Sequence, residues 1–171
     1  SYINKNLDKL KKNVIAGYVL TCLGDSNNFS YLNSKQENTL SDNVAKKYFL
    51  SKKIKFKNYS YLDRGSDERQ YNSPGVDLPI GSIMRSKYNT YKEYHTSADN
   101  LDLVNEKNLK KSVDVICGII EKINKSDFPI SNIKCEPFLT KYNLYPTTSI
   151  KRKKSGSQDI TNFLAYSNGD N

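Results

Sequence analysis

The stretch that decides the fold class is Val14-Ile-Ala-Gly-Tyr-Val-Leu-Thr-Cys-Leu23, a nearly continuous apolar run. Strands buried on both faces of a sheet have such runs, whereas half-exposed strands alternate apolar and polar side chains. The segment Gly24-Asp-Ser-Asn-Asn28 follows and has the composition of a turn. Residues 4–13 precede the run with helical spacing. The sequence therefore predicts a helix followed by a strand that lies inside a sheet.

Further along the chain, helical and strand patterns alternate. Residues 41–53 are predicted to form a helix, with Ser41 as its N-cap. Residues 55–62 and 76–84 have the composition of strands. Pro79 inside the second of these favours an edge position or a bulge, because proline cannot donate to a strand ladder.

The clearest helical pattern covers residues 104–123. Its apolar positions predict one buried stripe: Leu109, Val113, Ile116, Ile120 and Ile123. A further helix is predicted at 159–166. Alternation of helices and strands favours an α/β fold over a helical bundle or a β-sandwich.

Composition limits the class of protein. The chain has 171 residues, 36% hydrophobic and 26% charged, which is enough apolar surface for a core and argues against a disordered tail. Its net charge of +9 raises the prospect of anionic partners, but charge alone does not choose among nucleic acid, anionic lipid and acidic substrates. No apolar run approaches the roughly 20 residues that span a membrane.

The three cysteines are Cys22, Cys117 and Cys135. Their odd number, their wide separation and the absence of a CxxC pair argue against a disulfide framework and against a zinc knuckle. Reduced thiols in a cytoplasmic protein are the simplest interpretation.

Two polar loops follow predicted strands, which is where α/β sheets usually place ligands. The first loop holds Asp63, Asp67 and Glu68, and the second holds Glu93, His95 and Asp99. Imidazole and carboxylate are the usual ligands of hydrolytic zinc, and a carboxylate close to a histidine can hold its ring in place. Taken singly, each acidic residue is more simply a solvated loop charge, and the histidine a surface or hydrogen-bonded one.

These loops contain long motifs that resemble a bacterial family with an aminopeptidase-like domain, related to the zinc aminopeptidases and the glutamate carboxypeptidase-like exopeptidases. The motifs are Arg64-Gly-Ser-Asp-Glu-Arg-Gln-Tyr71, Ser73-Pro-Gly-Val-Asp-Leu-Pro79 and Tyr94-His-Thr-Ser-Ala-Asp-Asn-Leu-Asp102. The similarity continues through 14–22, 135–137 and 144–146. It covers nearly the whole chain.

The resemblance implies a three-layer αβα fold with a mixed sheet and a zinc site of one or two ions. It implies that Asp67 and His95 bind zinc and that Asp99 supports the histidine. It also makes Glu68 a candidate for contacting the amino terminus of a peptide or amide substrate.

Arg64 and Arg69 are, by the same resemblance, candidates for steadying the first loop or binding a substrate carboxylate. Structural ion pairs are the alternative for both arginines.

The resembling family draws its general base, a glutamate, and its other zinc ligands from sequence that precedes the part matched here. The resemblance therefore places the general base upstream of Ser1, just before the segment Ser1-Tyr-Ile3. We expect this chain to be the C-terminal portion of such a domain, with no catalytic residue of its own and no activity in isolation.

The expected organisation has three parts. An aminopeptidase-like half covers 1–127, an extension with a basic linker covers 128–153, and the start of a small winged-helix domain covers 154–171.

Two other functions remain open. One is a catalytically silent relative that binds partners, and the other is a regulator in which the winged helix and the basic charge bind nucleic acid. Nucleic acid is the less favoured partner, because the Lys-Arg-Lys-Lys run at 151–154 is more simply a solvated linker. A homo-oligomer is compatible with the sequence, and a membrane-bound form is not expected.

Overall fold

The computed structural model describes residues 1–127, 131–132, 135, 137–142, 144 and 155–167. The chain divides into two compact units, residues 1–125 and residues 126–171. The first unit holds the sheet and both polar loops. The basic run at 151–154 lies outside the described residues.

The first unit contains four strands and four helices. The strands are β1 (Gly17–Leu20), β2 (Phe29–Leu32), β3 (Phe56–Tyr59) and β4 (Ile80–Met84). The helices are α1 (Tyr2–Asn13), α2 (Leu40–Ser51), α3 (Glu68–Tyr71) and α4 (Glu106–Asn124), with a 3-10 turn at Tyr61–Asp63. The α/β prediction is confirmed as a mixed four-stranded sheet with helices. No helix in the described part of the chain is both long and apolar enough to cross a bilayer.

The first helix is present where the sequence predicted one, and it starts earlier than residue 4. Ser1 is the N-cap of α1, and its hydroxyl accepts a hydrogen bond from the Asn4 backbone N–H at 3.4 Å. From the sequence alone, Ser1 marked only the point upstream of which the general base is expected. The structure gives Ser1 a local role of its own, since a serine at this position satisfies one of the unpaired N–H groups of a helix start. A general base upstream of Ser1 stays a prediction.

The strands are ordered β1-β4-β2-β3 across the sheet. β1 is parallel to β4, and β2 is parallel to β3, whereas β2 and β4 are antiparallel. Strands β3 and β4 therefore run in opposite directions, and their carboxyl ends lie at opposite ends of the sheet. β2 was not predicted from the sequence. It is a short strand, and its buried positions include the polar Ser30.

Helices α2 and α4 cover one face of the sheet. The core there is apolar and largely aromatic, because β2 and β4 direct alternate side chains to this face. Its buried members are Phe29, Tyr31, Ala45, Phe49, Ile83, Ile116 and Ile119. The opposite face carries a smaller cluster of Leu32, Met84 and Tyr88, and loops cover it.

The N-cap of helix α2 is Thr39 and not the predicted Ser41. The reason is Asp42, whose buried carboxylate accepts hydrogen bonds from the backbone N–H and the hydroxyl of Thr39 at 2.9 and 2.7 Å. Ser41 instead lies inside the helix. Its hydroxyl accepts from the Gly17 N–H at 2.9 Å and donates to the Pro79 carbonyl at 2.6 Å, which links α2 to the starts of β1 and β4.

The edge position that Pro79 suggested for its strand is wrong. The strand starts at Ile80, just after the proline, so β4 loses no ladder donor and has a neighbour on each side. The edge strands are β1 and β3, and β1 was expected to be buried on both faces. β1 has no fully buried residue, and the Leu20 side chain is 48% exposed.

Helix α4 is confirmed, but the expected stripe is only partly buried. Its buried residues are Ser112, Ile116 and Ile119, while Leu109, Val113 and Ile120 are exposed. The Ser112 hydroxyl donates to the Leu23 carbonyl at 2.8 Å, so a polar residue occupies the inner face. The helix is apolar on more than one side, and the hydrophobic pattern alone does not identify the packed side.

In the second unit, the structure describes a 3-10 turn at Leu139–Tyr142 and helix α5 at Ser155–Ala165. The predicted terminal helix is therefore present and begins earlier than residue 159. The winged-helix identity of residues 154–171 stays a prediction. Cys22, Cys117 and Cys135 are free thiols.

Candidate functional site

The two polar loops meet on the sheet face opposite α2 and α4. The first loop follows β3 and leads through the 3-10 turn into α3. The second loop, residues 85–104, leaves the far end of β4 and folds back across the sheet, so that Tyr88 and Tyr94 join the cluster around Leu32 and Met84. The loops meet because the second one folds back, and not because their strands end at the same edge.

Glu68 is the centre of this arrangement. Its side chain is fully buried, and its Oε1 accepts hydrogen bonds from the backbone N–H groups of Gly65 and Ser66, both at 2.8 Å. Tyr88 of the second loop donates its hydroxyl to the same oxygen at 2.8 Å, and Ser82 of β4 donates to Oε2 at 3.0 Å. One carboxylate therefore ties both loops to the middle of the sheet. We call this group, Gly65, Ser66, Glu68, Ser82 and Tyr88, the Glu68 clasp.

The charge of Glu68 is satisfied within the chain. Burial by itself raises the pKa of this carboxyl, but hydrogen bonds from Ser66, Gly65 and Tyr88 outweigh it, and the pKa is lower than usual. The structure thus gives Glu68 a different place from the one expected from sequence, which was contact with a substrate amino group. In the structure, the Glu68 carboxylate positions the loop that carries Asp67.

Close packing reinforces the clasp at Gly65. A Cβ atom added to Gly65 would lie 2.5 Å from Cε2 of Tyr88, so the ring of the second loop rests directly on the backbone of the first. Burial and the hydrogen bond to Glu68 raise the pKa of the Tyr88 hydroxyl, which remains a protonated donor. Only glycine permits this approach of the two loops without a shift of the ring.

Asp67 lies next to the clasp, at the N-cap position of α3. Its carbonyl accepts from the Gln70 N–H at 2.9 Å, which fixes the backbone. The side chain is exposed, and its carboxylate forms no hydrogen bond or ion pair with any residue that the structure describes. Asp67 therefore presents, from a fixed backbone, a carboxylate whose oxygens are not bonded to any described residue.

His95 lies in the second loop and is exposed. Its backbone has φ 57°, in the left-handed region, and its ring stacks on that of Tyr94 with centroids 4.0 Å apart and planes 15° apart. Tyr94 in turn contacts Tyr91 edge to face at 5.6 Å. The imidazole is thus supported on one face by aromatic rings, while neither ring nitrogen is bonded to a described residue.

The other predicted residues are also exposed. Asp99 forms no hydrogen bond with His95, although its charge helps to raise the pKa of the nearby Tyr91 hydroxyl, chiefly raised by burial. The Arg64 guanidinium lies over the Tyr61 ring at 4.7 Å, which steadies the start of the first loop. Arg69 forms no ion pair within the described ranges, so the ion-pair alternative has no support for either arginine.

A metal ion would find an incomplete set of ligands here. The described residues contain no group of three or more His, Cys, Asp or Glu side chains that could hold an ion. Asp67 and His95 are chemically suited to zinc and keep their functional atoms free of bonds to described residues, so they fit as two contributors and no more. Sequence reasoning missed Tyr88, Ser82 and Gly65. A buried glutamate with a glycine three positions before it gives no periodic signal.

Comparison with known proteins finds a matching family model and peptidase-like relatives. A family model described as "Domain of unknown function (DUF4910)" matches residues 1–126. A Clostridium acetobutylicum protein named "Putative polysaccharide biosynthesis protein with aminopeptidase-like domain" is 38% identical over 146 residues, which cover 85% of this chain. A crystal structure described as a "putative peptidase" from the same organism superposes with a TM-score of 0.70 at 37% identity, covering 82% of this chain.

The chain spans about a third of the length of these relatives, 33% of each. Two thirds of each relative therefore has no counterpart in the residues aligned here.

Proposed function

We infer, from the premise that this chain belongs to the DUF4910 family, that it forms part of a peptidase-like hydrolase. Relatives named for a peptidase or an aminopeptidase-like domain support this role. Because the chain spans a third of their length, the activity proposed is that of a longer assembly to which this chain contributes. The substrate class we propose is a peptide or another small amide, and the general base we propose lies upstream of Ser1.

The observation that carries the proposal is the contrast between Glu68 and its neighbour Asp67. Four donors of the chain occupy the Glu68 carboxylate, whereas Asp67, in the same turn, presents a carboxylate that is not bonded to any described residue. His95 presents an imidazole that is likewise not hydrogen-bonded within the described part of the chain, from the loop that Tyr88 ties to that turn. If Asp67 and His95 had a purely structural role, their carboxylate and imidazole would be hydrogen-bonded to the protein. Instead, the surrounding residues hold the two loops and leave these functional atoms without bonds to described residues.

We propose zinc, one or two ions, as the cofactor, with Asp67 and His95 among its ligands. Zinc, when bound, polarises a carbonyl and lowers the pKa of water. The work of this chain is positioning: the Glu68 clasp fixes the Asp67 backbone, and Tyr94 limits rotation of the His95 ring by stacking. Asp99 and Arg69 remain candidates for contacting the imidazole or a substrate carboxylate, since both are exposed and unpaired within the described residues.

Several finer features are part of the same proposal. We propose that the complete domain is a three-layer αβα fold, in which further helices cover the sheet face that only loops cover in this chain. A winged-helix module over 154–171 and a cytoplasmic location complete it, the latter consistent with three free cysteines.

The experiment is the zinc content of the longest native form of the protein, which would include the ligands proposed upstream of Ser1, measured by elemental mass spectrometry after dialysis against trace zinc. Three variants with a change of similar size are compared: His95→Asn, Asp67→Asn and Asp102→Asn. Asn at position 95 tolerates the left-handed backbone, so the imidazole is removed without added strain. Asp102 is an exposed aspartate of the second loop and serves as the control.

We expect the wild type and Asp102→Asn to carry one or two equivalents of zinc, and the other two variants to lose at least one. If the wild type holds no zinc, or if His95→Asn and Asp67→Asn both keep it, the metallopeptidase assignment fails. The fold would then serve as a catalytically silent binding module.

A further inference from the structure

A groove of about 470 Å³ lies where β4 ends and β2 and β3 begin. It is formed by the turn before β2, the residues before β3, the first residue after β4 and the outer part of α4. Its volume is in the range of sites that hold small molecules, about 300–1,000 Å³. The proposed hydrolase site uses none of its residues.

Arg85, the first residue after β4, lines this groove and is only 6% exposed. A buried charge is normally paired with an opposite one, because its desolvation is unfavourable. Within the described ranges, Arg85 forms no ion pair. Asp25 is the nearby acidic residue, and its carboxylate is occupied by the N–H groups of Asn27 and Ser86, at 2.8 and 3.1 Å.

The Arg85 guanidinium is held firmly and keeps spare donors. Its Nε donates to the Ser112 hydroxyl at 2.9 Å, and its two terminal nitrogens donate to the carbonyls of Asn27 and Asn108, at 2.7 and 3.3 Å. The Phe29 ring supports its plane at 4.6 Å. A guanidinium has five N–H groups, so two remain without an acceptor among the residues that the structure describes.

Two further cations line the groove. Lys55 precedes β3 and Lys111 lies on α4, and neither forms an ion pair with a carboxylate in the part of the chain that the structure describes. Asp114 is the one acidic lining residue. Three cations against one anion leave an excess of positive charge that suits a doubly charged group better than a single carboxylate.

We propose that this groove binds a phosphate group carried by a small molecule. Arg85 supplies the spare donors of a fixed planar fork, a geometry that matches phosphate oxygens. Lys55 and Lys111 supply further positive charge from two different elements, the residues before β3 and helix α4.

The test is titration of the 171-residue chain with inorganic phosphate, by calorimetry at constant ionic strength, with acetate as the comparison. Lys55→Gln/Lys111→Gln removes two cations of the groove and leaves every hydrogen bond of Arg85 in place. Lys47→Gln/Lys110→Gln is the matched control, because both lysines are exposed on α2 and α4, lie outside the groove and change the net charge equally.

We expect one saturable phosphate site in the wild type and in the control pair, with affinities within about twofold of each other. The groove pair should bind phosphate at least about tenfold more weakly, and acetate should bind the wild type more weakly by a similar factor. The absence of saturable binding to the wild type would overturn the proposal. Equal weakening in both double variants would also overturn it, since it would indicate general attraction to a basic protein. Equal affinity for acetate would exclude a site for a doubly charged group.

Discussion

Replacing Glu68 by glutamine tests the Glu68 clasp with little change in shape. The carboxylate accepts four hydrogen bonds in a fully buried position. A hydrogen bond to a charged group contributes about 1.5–3 kcal/mol, against about 0.5–1.5 kcal/mol for a neutral one. A loss of about 1 kcal/mol for each bond, reduced because the bonds share one group, gives an expected destabilisation of about 2–4 kcal/mol.

The measurement is urea unfolding followed by far-ultraviolet circular dichroism and by tyrosine fluorescence, which 13 tyrosines and no tryptophan make suitable. Glu121→Gln is the control, because Glu121 is exposed on α4. We expect the control to change the free energy of unfolding by less than about 0.5 kcal/mol.

Acid provides a second, independent check. The pKa of Glu68 is lowered in the folded protein from its ordinary value of 4.5, so the folded state binds this proton less readily than the unfolded chain does. Its stabilisation is fully present above the unfolded pKa and is lost as the pH falls through the folded pKa. The difference between wild type and Glu68→Gln should therefore shrink below pH 4.5. A loss under about 1 kcal/mol at neutral pH, or a difference that stays constant in acid, would refute the clasp.

Three further changes have defined outcomes. Tyr88→Phe removes one donor to Glu68 and should lower the unfolding free energy by about 1–2 kcal/mol by urea titration, whereas an unchanged midpoint would show that the bond is dispensable. Asp42→Asn weakens a buried carboxylate that accepts five hydrogen bonds, and we expect a loss of about 2–4 kcal/mol in the same assay. Ile116→Ala should destabilise by about 2–4 kcal/mol and Ile120→Ala by less than about 1 kcal/mol; similar values would contradict the assigned inner face of α4.

Helices and strands were predictable where the pattern is long. Helices α2 and α4 and strands β3 and β4 appear close to the expected places, because periodic apolar side chains must share a face to be buried. β2 was missed because all four of its residues are buried and one of them is the polar Ser30, so it shows neither an apolar run nor an alternation. The failure at Pro79 has a local cause, since a proline just before a strand removes no ladder hydrogen bond.

For the candidate site, the sequence supplied candidate residues, which stay a prediction, but not their geometry. The resemblance supplied Asp67 and His95, yet nothing in their spacing indicates that Tyr88 joins their loops through Glu68. Asp67 and Glu68 are adjacent carboxylates in one turn, yet Asp67 is exposed and Glu68 is buried. The sequence does not distinguish them, so the burial of Glu68 comes from tertiary structure. Burial of a single charged residue depends on distant donors, here Ser82 and Tyr88, which no local pattern specifies.

The strand order has a consequence for how the chain folds. Gly17 pairs with Ile80, and Ser30 pairs with Met84, so each contact closes a long loop before it yields any stabilisation. These long closures should make refolding slow for a unit of this size. The β2-α2-β3 segment has the shortest closure and is the expected nucleus. During synthesis, the apolar run around β1 is made before β4, its neighbour in the sheet. Lys11 and Lys12 at the end of α1 lie just before that run, and charges in such a position oppose aggregation of an exposed apolar segment.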